Sequence, residues 1–298
     1  MKKIFFSFII TFIILCSFLF PTEAVTASKQ GILTWFEQIL PALLPFTLLL
    51  SILLRSKFME SFGKGSNLVT VLLTLICGFV FGFPIGAKLA SDFYARSLLT
   101  RRQAMILCVT ANNFSMMYVF GFVLPTLFPD GSQNTKTYLV LYALPFVLSL
   151  FTLFIFREKK TEALQKNTAS RFQLDMQIVD AGIISGFESL IKICGYIVLF
   201  SLASRFLSLL WTDNSIIAML IKGNLEITNG ITLLSQSNIP DDEPLYLFAI
   251  QFLSFGGISG IAQTASIIKP SGLSVRDYVI GKILLTVLLL VICFNINV

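Results

Sequence analysis

The sequence predicts an all-α protein that crosses a lipid bilayer several times. Hydrophobic residues occupy 55% of the 298 positions, charged residues occupy only 13%, and the mean hydropathy is +0.84. A soluble domain has about a quarter charged residues, so most of this surface must face lipid. Apolar stretches recur along the whole chain, and about 20 apolar residues in a helix span the hydrocarbon core. The lipid bilayer is therefore the first expected partner.

Charge and residue usage exclude several classes of function. The net charge of +6 comes from Lys and Arg clusters between apolar runs, a pattern that orients membrane proteins rather than binding nucleic acid. The chain has no histidine, which removes histidine bases and histidine-ligated metals. Its five cysteines form no CxxC pair, so neither a disulfide framework nor a zinc site is predicted. We expect no metal and no cofactor.

One short motif resembles that of an enzyme. Gly257-Ile258-Ser259-Gly260 matches the GxSG of intramembrane serine proteases. That chemistry needs a base to take the serine proton, and the usual base is the histidine that this chain lacks. No Walker motif, HExxH motif or paired intramembrane aspartates are present either. The sequence therefore predicts no catalytic residues and a protein that is not an enzyme.

Residues 1–30 are predicted to form an N-terminal membrane anchor or a signal-like segment. Lys2 and Lys3 precede the apolar run 4–20, which is the arrangement of a signal peptide. Val25-Thr26-Ala27 is only a weak cleavage site, and the rest of the chain is itself apolar. An uncleaved first span is therefore favoured over a cleaved peptide.

The remaining chain divides into two membrane repeats, 31–156 and 179–298. Between them lies the most polar stretch, 157–178, which carries five Lys and Arg residues and is predicted to be a basic cytoplasmic loop. The apolar segments that could span or enter the membrane are 32–54, 67–95, 104–128, 138–156, 181–211, 216–236, 245–268 and 276–294.

Basic residues predict the orientation of these segments. Lys2 and Lys3 place the N-terminus in the cytoplasm. Arg101 and Arg102 also fall on the cytoplasmic side if 67–95 enters and leaves the membrane as a hairpin, but not if it is one span. The acidic residues Asp241-Asp242-Glu243 suit an outer loop. The charge pattern therefore favours a hairpin at 67–95 and a multi-pass protein of the cell membrane.

Two glycine-rich breaks align with each other and suggest an internal repeat. Phe81-Gly82-Phe83-Pro84-Ile85-Gly86 matches Phe255-Gly256-Gly257-Ile258-Ser259-Gly260 at an offset of 174. Two hairpins entering from opposite sides are typical of inverted-repeat transporters. The alternative is that the GxxxG spacings mark close helix packing, although a proline in the first break favours a broken helix. The predicted hairpin tips are Gly82, Pro84, Gly86, Gly256, Gly257 and Gly260.

Five motifs along residues 31–294 carry a resemblance to a known family. They are Pro41–Phe46, Gly82–Lys88, Leu99–Arg101, Gly223–Gly230 and Ser254–Gly260. In this order they resemble the YlbJ-type sporulation integral membrane proteins of endospore-forming Gram-positive bacteria. That family looks related to nucleoside-recognition or gate-domain proteins, in which helical hairpins enclose a solute site. The stretch Thr110–Met117 lacks the family's proline, which suggests a divergent member.

Polar residues at membrane depth are the candidate solute-binding groups, because burying them in lipid is costly. Lys88 follows the first break and could attract a polar solute, or it could extend to the inner interface or pair with Asp92. Glu226 lies in a polar stretch between two glycines and could bind a solute or a coupling cation, or pair with Lys222. The full predicted set is Lys88, Asn112, Asn113, Ser115, Asn224, Glu226, Thr228, Asn229 and Gln263.

The sequence thus predicts a permease or gate-domain protein that handles a small polar, nucleoside-like solute. Two inverted halves would move around the hairpins at 82–88 and 256–263, driven by a gradient or acting as a facilitator. A coupling cation and assembly into a homo-oligomer are compatible with this reading. The alternative is a scaffold of spore envelope assembly, in which the basic loop 157–178 binds a partner or anionic lipid.

Overall fold

The computed structural model describes residues 2–56, 67–155, 174–211, 215–237, 239 and 241–295. Within these ranges the regular structure is helical and contains no strand, which confirms the predicted all-α class. Most of the predicted basic loop, 157–173, lies outside the described residues.

Thirteen helices make up the described part of the chain. A short 3₁₀ turn also follows α12, at Lys269–Ser271. The helices are α1 (Lys2–Leu19), α2 (Pro21–Arg55), α3 (Asn67–Phe81), α4 (Ile85–Ala95), α5 (Arg101–Thr110), α6 (Met116–Leu127), α7 (Asn134–Ile155), α8 (Met176–Leu210), α9 (Ile216–Leu225), α10 (Ile227–Ser235), α11 (Asp242–Phe255), α12 (Gly257–Ile268) and α13 (Val275–Asn295).

Five helical segments of the described chain are long and apolar enough to cross a membrane. They are α2, α7, α8, α13 and the stretch formed by α11 and α12 together. Spanning the hydrocarbon core takes about 30 Å of helix, and each of these segments has at least the 20 or so residues required. The prediction of a polytopic membrane protein is therefore confirmed.

The two longest helices, α2 and α8, pack against each other along their length. Gly31 of α2 faces Val198, and farther along Gly182 and Gly186 of α8 face Ile52 and Leu48. These small residues let the two backbones approach closely, as is usual between helices in lipid. At one end an ion pair joins the helices, 2.6 Å between Glu23 Oε2 and Arg205 Nη2.

The start of α2 differs from the predicted segment boundaries. The helix begins at Pro21, a favoured residue for the first helical turn, so residues 21–30 continue into the span predicted at 32–54. Pro41 and Pro45 do not end the helix. A wider π-helical turn at Trp35–Ile39 precedes them and accommodates the missing proline donors.

The first predicted hairpin is present as a pair of helices. Helices α3 and α4 pack against each other around Gly82, whose φ of +75° is readily accessible only to glycine. Gly78 and Gly86, one on each arm, both contact the carbonyl of Ala111. Two close approaches to one carbonyl require the arms to fold back. That the pair enters and leaves the same face of the membrane stays a prediction.

The second hairpin lies at a different place from the one predicted. Gly256 does break the helix, with φ +85°, but α11 and α12 scarcely contact each other, and α12 packs on α4 and α9 instead. The segment that folds back is α9 with α10, within the predicted apolar segment 216–236, for which no hairpin was predicted. Its arms cross at Gly223 and Gly230, where a β-carbon on Gly230 would lie 2.8 Å from the Cα of Gly223.

The order of elements is the same in the two halves, while the internal repeat itself stays a prediction. Each half contains a long helix, a hairpin, a broken span and a final span. Helices α11, α12 and α13 begin 141 residues after α5, α6 and α7, at Asp242 against Arg101, Gly257 against Met116 and Val275 against Asn134. At the predicted offset of 174, by contrast, the turn of the first hairpin falls on the break between α11 and α12, whose helices scarcely contact each other. Glycines recur wherever helices approach closely, so they do not by themselves identify equivalent turns.

The hairpin arrangement predicts where two exposed residues face. We expect Ser97→Cys, after the first hairpin, to react with a membrane-impermeant thiol reagent only from the cytoplasmic side. Gln236→Cys, after the second, should react only from outside. Both variants are made after replacing the five native cysteines. If either hairpin were a single straight span, its reporter would react from the opposite side.

The contact between the first hairpin and Ala111 predicts the effect of a single methyl group. Gly86→Ala places a β-carbon against the Ala111 carbonyl. Overpacking of this kind costs about 1–3 kcal/mol, so we expect a melting midpoint lower by several degrees. The control is Gly195→Ala in α8, where nothing lies within 4 Å of the added carbon. Equal midpoints for the two variants would contradict the proposed packing.

Candidate functional site

A small buried cavity of about 50 Å³ lies where the chain breaks of both halves meet. The first hairpin contributes Phe83, and the break between α5 and α6 contributes Phe114 and Ser115. Helix α6 adds Tyr118, the turn between α9 and α10 adds Glu226, Ile227 and Thr228, and α12 with the residue before it adds Gly256, Ser259, Gly260 and Gln263. Thus the predicted site residues Ser115, Glu226, Thr228 and Gln263 come together here.

Two polar atoms that border this cavity lack a hydrogen-bond partner. They are the hydroxyl of Tyr118 and the side-chain carbonyl of Gln263, which are 4% and 7% exposed as residues. The amide nitrogen of Gln263 is used, donating to Ser259 Oγ at 3.2 Å. A buried polar group without a partner costs about 1–3 kcal/mol, so its retention calls for an explanation such as a bound solute.

Glu226 forms the turn of the second hairpin. Its backbone is extended, and its carboxylate accepts hydrogen bonds from the Thr228 hydroxyl and from the Asn229 backbone N–H (3.1 Å), which caps the start of α10. Helix α9 ends at Leu225, so Glu226 is not on the same helix as Lys222. The i,i+4 helical spacing on which the predicted pair depended is therefore absent. The carboxylate, on a residue only 5% exposed, borders the cavity.

The opposite wall is the break in the first half. Residues 111–115 leave the helix, and Ser115 restarts it by accepting the Tyr118 N–H at 3.2 Å. The ring of Phe114 stacks on that of Phe83, with centroids 5.9 Å apart and an angle of 22°. This aromatic pair gives the cavity an apolar side facing its polar groups.

Asn112 and Asn113 are used by the protein itself. Asn112 accepts from the Ala87 N–H (3.3 Å) and donates to the Thr264 and Tyr278 hydroxyls (3.0 and 3.1 Å). Asn113 donates to the backbone carbonyls of Thr110 and Leu141, at 3.0 and 3.2 Å. Neither lines the central cavity, so the geometry gives them a bracing role between the halves.

Two further predicted site residues also have partners within the protein. The amides of Asn224 and Gln251 exchange two hydrogen bonds, of 3.1 and 3.0 Å. The amide of Asn229 donates to Ser201 Oγ at 3.1 Å. The structure does not bring these side chains to the central cavity.

Lys88 lines a larger cavity of about 300 Å³ next to the central one. Its wall includes Asp92, the partner predicted for Lys88, and two further charged residues, Glu188 and Lys192. A third, more open cavity of about 500 Å³ adds Arg55 and Arg96 at the ends of α2 and α4. Neighbouring cavities share lining residues. The 300 and 500 Å³ cavities share Lys88 and Asp92, and the 50 and 300 Å³ cavities share Leu43, Ile193 and Gln263.

The three cavities thus lie in sequence along a path from the basic ends of the helices to the helix breaks. We call the two larger cavities the vestibule. Its wall carries four basic residues, Arg55, Lys88, Arg96 and Lys192, and two acidic residues, Asp92 and Glu188. Its volume lies in the range of small-molecule sites, whereas the central cavity has space for only a few water molecules.

Sequence reasoning missed two residues of this region, Tyr118 and Lys282. Lys282, on α13, is 1% exposed and its ammonium donates to Asn112 O, Asn113 Oδ1 and Ser254 O at 2.7, 2.9 and 3.2 Å. Its position in the middle of an apolar span was the available signal. Tyr118 gave none, because a tyrosine in an apolar helix is ordinary.

Comparisons with known proteins place the chain near one relative. No protein-family model matches the chain, and no solved structure matches it significantly. The chain is 24% identical, over an alignment of 314 positions, to the sporulation integral membrane protein YlbJ of Bacillus subtilis (strain 168). The alignment covers 89% of this chain and 75% of the relative. The resemblance of this membrane protein to the YlbJ-type sporulation integral membrane proteins is thereby confirmed.

Proposed function

We propose that the protein is a permease for a small, nearly uncharged polar solute with a flat apolar face, such as a nucleoside. One observation carries this proposal: the unpartnered Tyr118 hydroxyl and Gln263 carbonyl border a cavity between two helix breaks and two hairpin turns. Solute sites at discontinuous helices near the middle of the membrane are typical of transporters built from inverted repeats.

The chemistry of the wall supports this class of solute. Gln263 and Glu226 offer acceptors for hydroxyl or amino donors of the solute, and Tyr118 can donate to a solute oxygen. Phe83 and Phe114 offer an apolar surface against which a planar ring could stack. A solute with hydrogen-bond donors along one edge and a ring on the other side would satisfy both walls once the helices around this cavity move apart, because about 50 Å³ is too small for it in the described conformation.

The vestibule supports a mechanism of alternating access. In the described conformation the path is wide at the basic ends of the helices and narrow at the central cavity. We infer that this is an inward-facing state, with the N-terminus in the cytoplasm and the acidic residues near 241–243 outside. Movement of the hairpins against the broken spans would close the vestibule and open the other side.

The setting follows from the relative. Its name assigns it to sporulation, and we propose the same setting for this chain in the cell membrane.

The alternative of a scaffold depends on the basic loop 157–178, most of which lies outside the described residues. A transporter should keep its uptake when residues 160–170 are deleted, whereas a scaffold should lose its partner.

Uptake into proteoliposomes tests the proposed function. We expect one or more members of a panel of nucleosides and neutral amino acids to accumulate, or to raise the melting midpoint of the purified protein. Glu226→Gln should lower uptake about tenfold or more, because the solute loses a charged hydrogen-bond acceptor. The turn should survive, since the glutamine keeps one oxygen that can accept from Thr228 and Asn229. The absence of uptake and of stabilisation across the panel, with protein that remains folded, would contradict the permease.

Tyr118→Phe separates a solute-binding role from a structural one. Removing a buried hydroxyl that has no partner should leave the melting midpoint unchanged or higher. Affinity for the solute should nevertheless fall about tenfold, the equivalent of one lost hydrogen bond. Tyr138→Phe is the matched control, since that residue is 50% exposed and lies outside the cavity. A lower melting midpoint with unchanged affinity for the solute would show that the hydroxyl stabilises the folded protein rather than binding the solute.

A further inference from the structure

Lys282 joins the broken spans of the two halves. Its ammonium contacts the Asn112 carbonyl, just beyond the end of α5, and the Ser254 carbonyl, in the last turn of α11. The third contact is the side-chain oxygen of Asn113. An ammonium has three N–H donors, and these three oxygens accept them at 2.7 to 3.2 Å.

The surroundings of this ammonium are those of a cation site. The last carbonyls of a helix have no partner within the helix, and the helix dipole makes that end negative. Here two such ends, of α5 and α11, meet within the protein. All three contacting oxygens are neutral, two of them backbone carbonyls. In transporters, unwound carbonyls and the C-terminal ends of half-helices hold the coupling Na⁺ in this way.

The second half supplies this cation without a counterpart in the first. Position 282 corresponds, at the offset of 141, to Leu141 in α7. Leu141 contributes only its backbone carbonyl, which accepts from the Asn113 amide at 3.2 Å. Burying a lysine at 1% exposure is costly, and the corresponding helix of the first half has a leucine at this position. The burial of the ammonium is therefore explained by its hydrogen bonds to the three oxygens that it contacts.

We propose that Lys282 is a tethered cation, which fills a monovalent-cation site between the two broken spans. The protein therefore binds no mobile Na⁺ or K⁺ at this position. The consequence for transport rests on the proposed function: solute movement needs no Na⁺ gradient. Occupancy of the site does not depend on transport, so it can be tested even if no solute is found.

Thermal melting in different salts tests the occupancy. The wild-type midpoint should be the same in sodium, potassium, methylammonium and choline chloride at equal ionic strength. Lys282→Ala should melt at least about 5 °C lower in choline chloride, because the oxygens lose their cation. Sodium, potassium or methylammonium should restore a large part of the difference, while the bulky choline cannot enter. Lys269→Ala, which removes an exposed lysine, should show no dependence on the cation.

Two outcomes would overturn the proposal. One is a wild-type midpoint that rises with sodium but not with choline, since the site would then be open to a mobile ion. The other is a destabilised Lys282→Ala variant that no small cation rescues. If the alanine variant does not accumulate, the wild-type comparison across the four salts stands as the test. The wild-type comparison needs no variant at all.

A transport measurement then separates this proposal from the proposed function. If a solute is taken up, wild-type uptake should be unchanged when choline replaces sodium on both sides of the membrane. Uptake that requires sodium would overturn the tethered cation while leaving the permease intact. Absence of any uptake would count against the permease. The melting experiment would then still test whether the Lys282 ammonium occupies the cation site.

Discussion

A helix that stops part-way through a bilayer leaves backbone N–H and C=O groups that water cannot reach, and these groups must be satisfied within the protein. The broken span of the first half shows how this chain meets the requirement. Asn112 accepts the N–H of Ala87 near the start of α4, and Lys282 donates to the freed carbonyls of Asn112 and Ser254. Ser115 and Glu226 cap the helices that restart after two breaks.

The same requirement determines where a solute could bind. Groups that satisfy freed backbone are polar, so the breaks of both halves bring polar side chains into an otherwise apolar interior. Most of these side chains have partners. The exceptions, Tyr118 and Gln263, border the one region where Phe83 of the first hairpin and Glu226 of the second come to the same cavity. The same broken helices thus determine both the packing of the two halves and the position of the candidate site.

The sequence predicted the class of fold and several breaks because both depend on local properties. Apolar runs indicated the spans, and Gly82 with Pro84 marked a true turn. Gly256 marked a true break as well, but its sequence did not reveal the direction in which the chain continues. That direction depends on packing with distant residues, such as the contact of α12 with α4. For the same reason the two glycines around Glu226 did not reveal that the chain folds back there.

The candidate site was predictable only in part. An ionisable residue at membrane depth is a visible signal, and it identified Glu226, although the same signal was overlooked at Lys282. Amide side chains were less informative, because Asn112 and Asn224 read the same in sequence whether they bind a solute or brace a helix. Their roles follow from partners such as Tyr278 and Gln251, which lie far away in the chain. Tyr118 became distinctive only through the absence of a partner.

The proposed site requires that water enters the protein from the basic side as far as the helix breaks. Ser189 and Ile191 lie on the same helix at nearly the same depth, but Ser189 lines the vestibule and Ile191 is 62% exposed on the outer surface of the bundle. A thiol reacts with a charged reagent only where water reaches it. In a background without native cysteines, Ser189→Cys should react from the cytoplasmic side while Ile191→Cys in lipid stays unmodified. Protection of both cysteines would contradict a wet vestibule, and with it the account of the site.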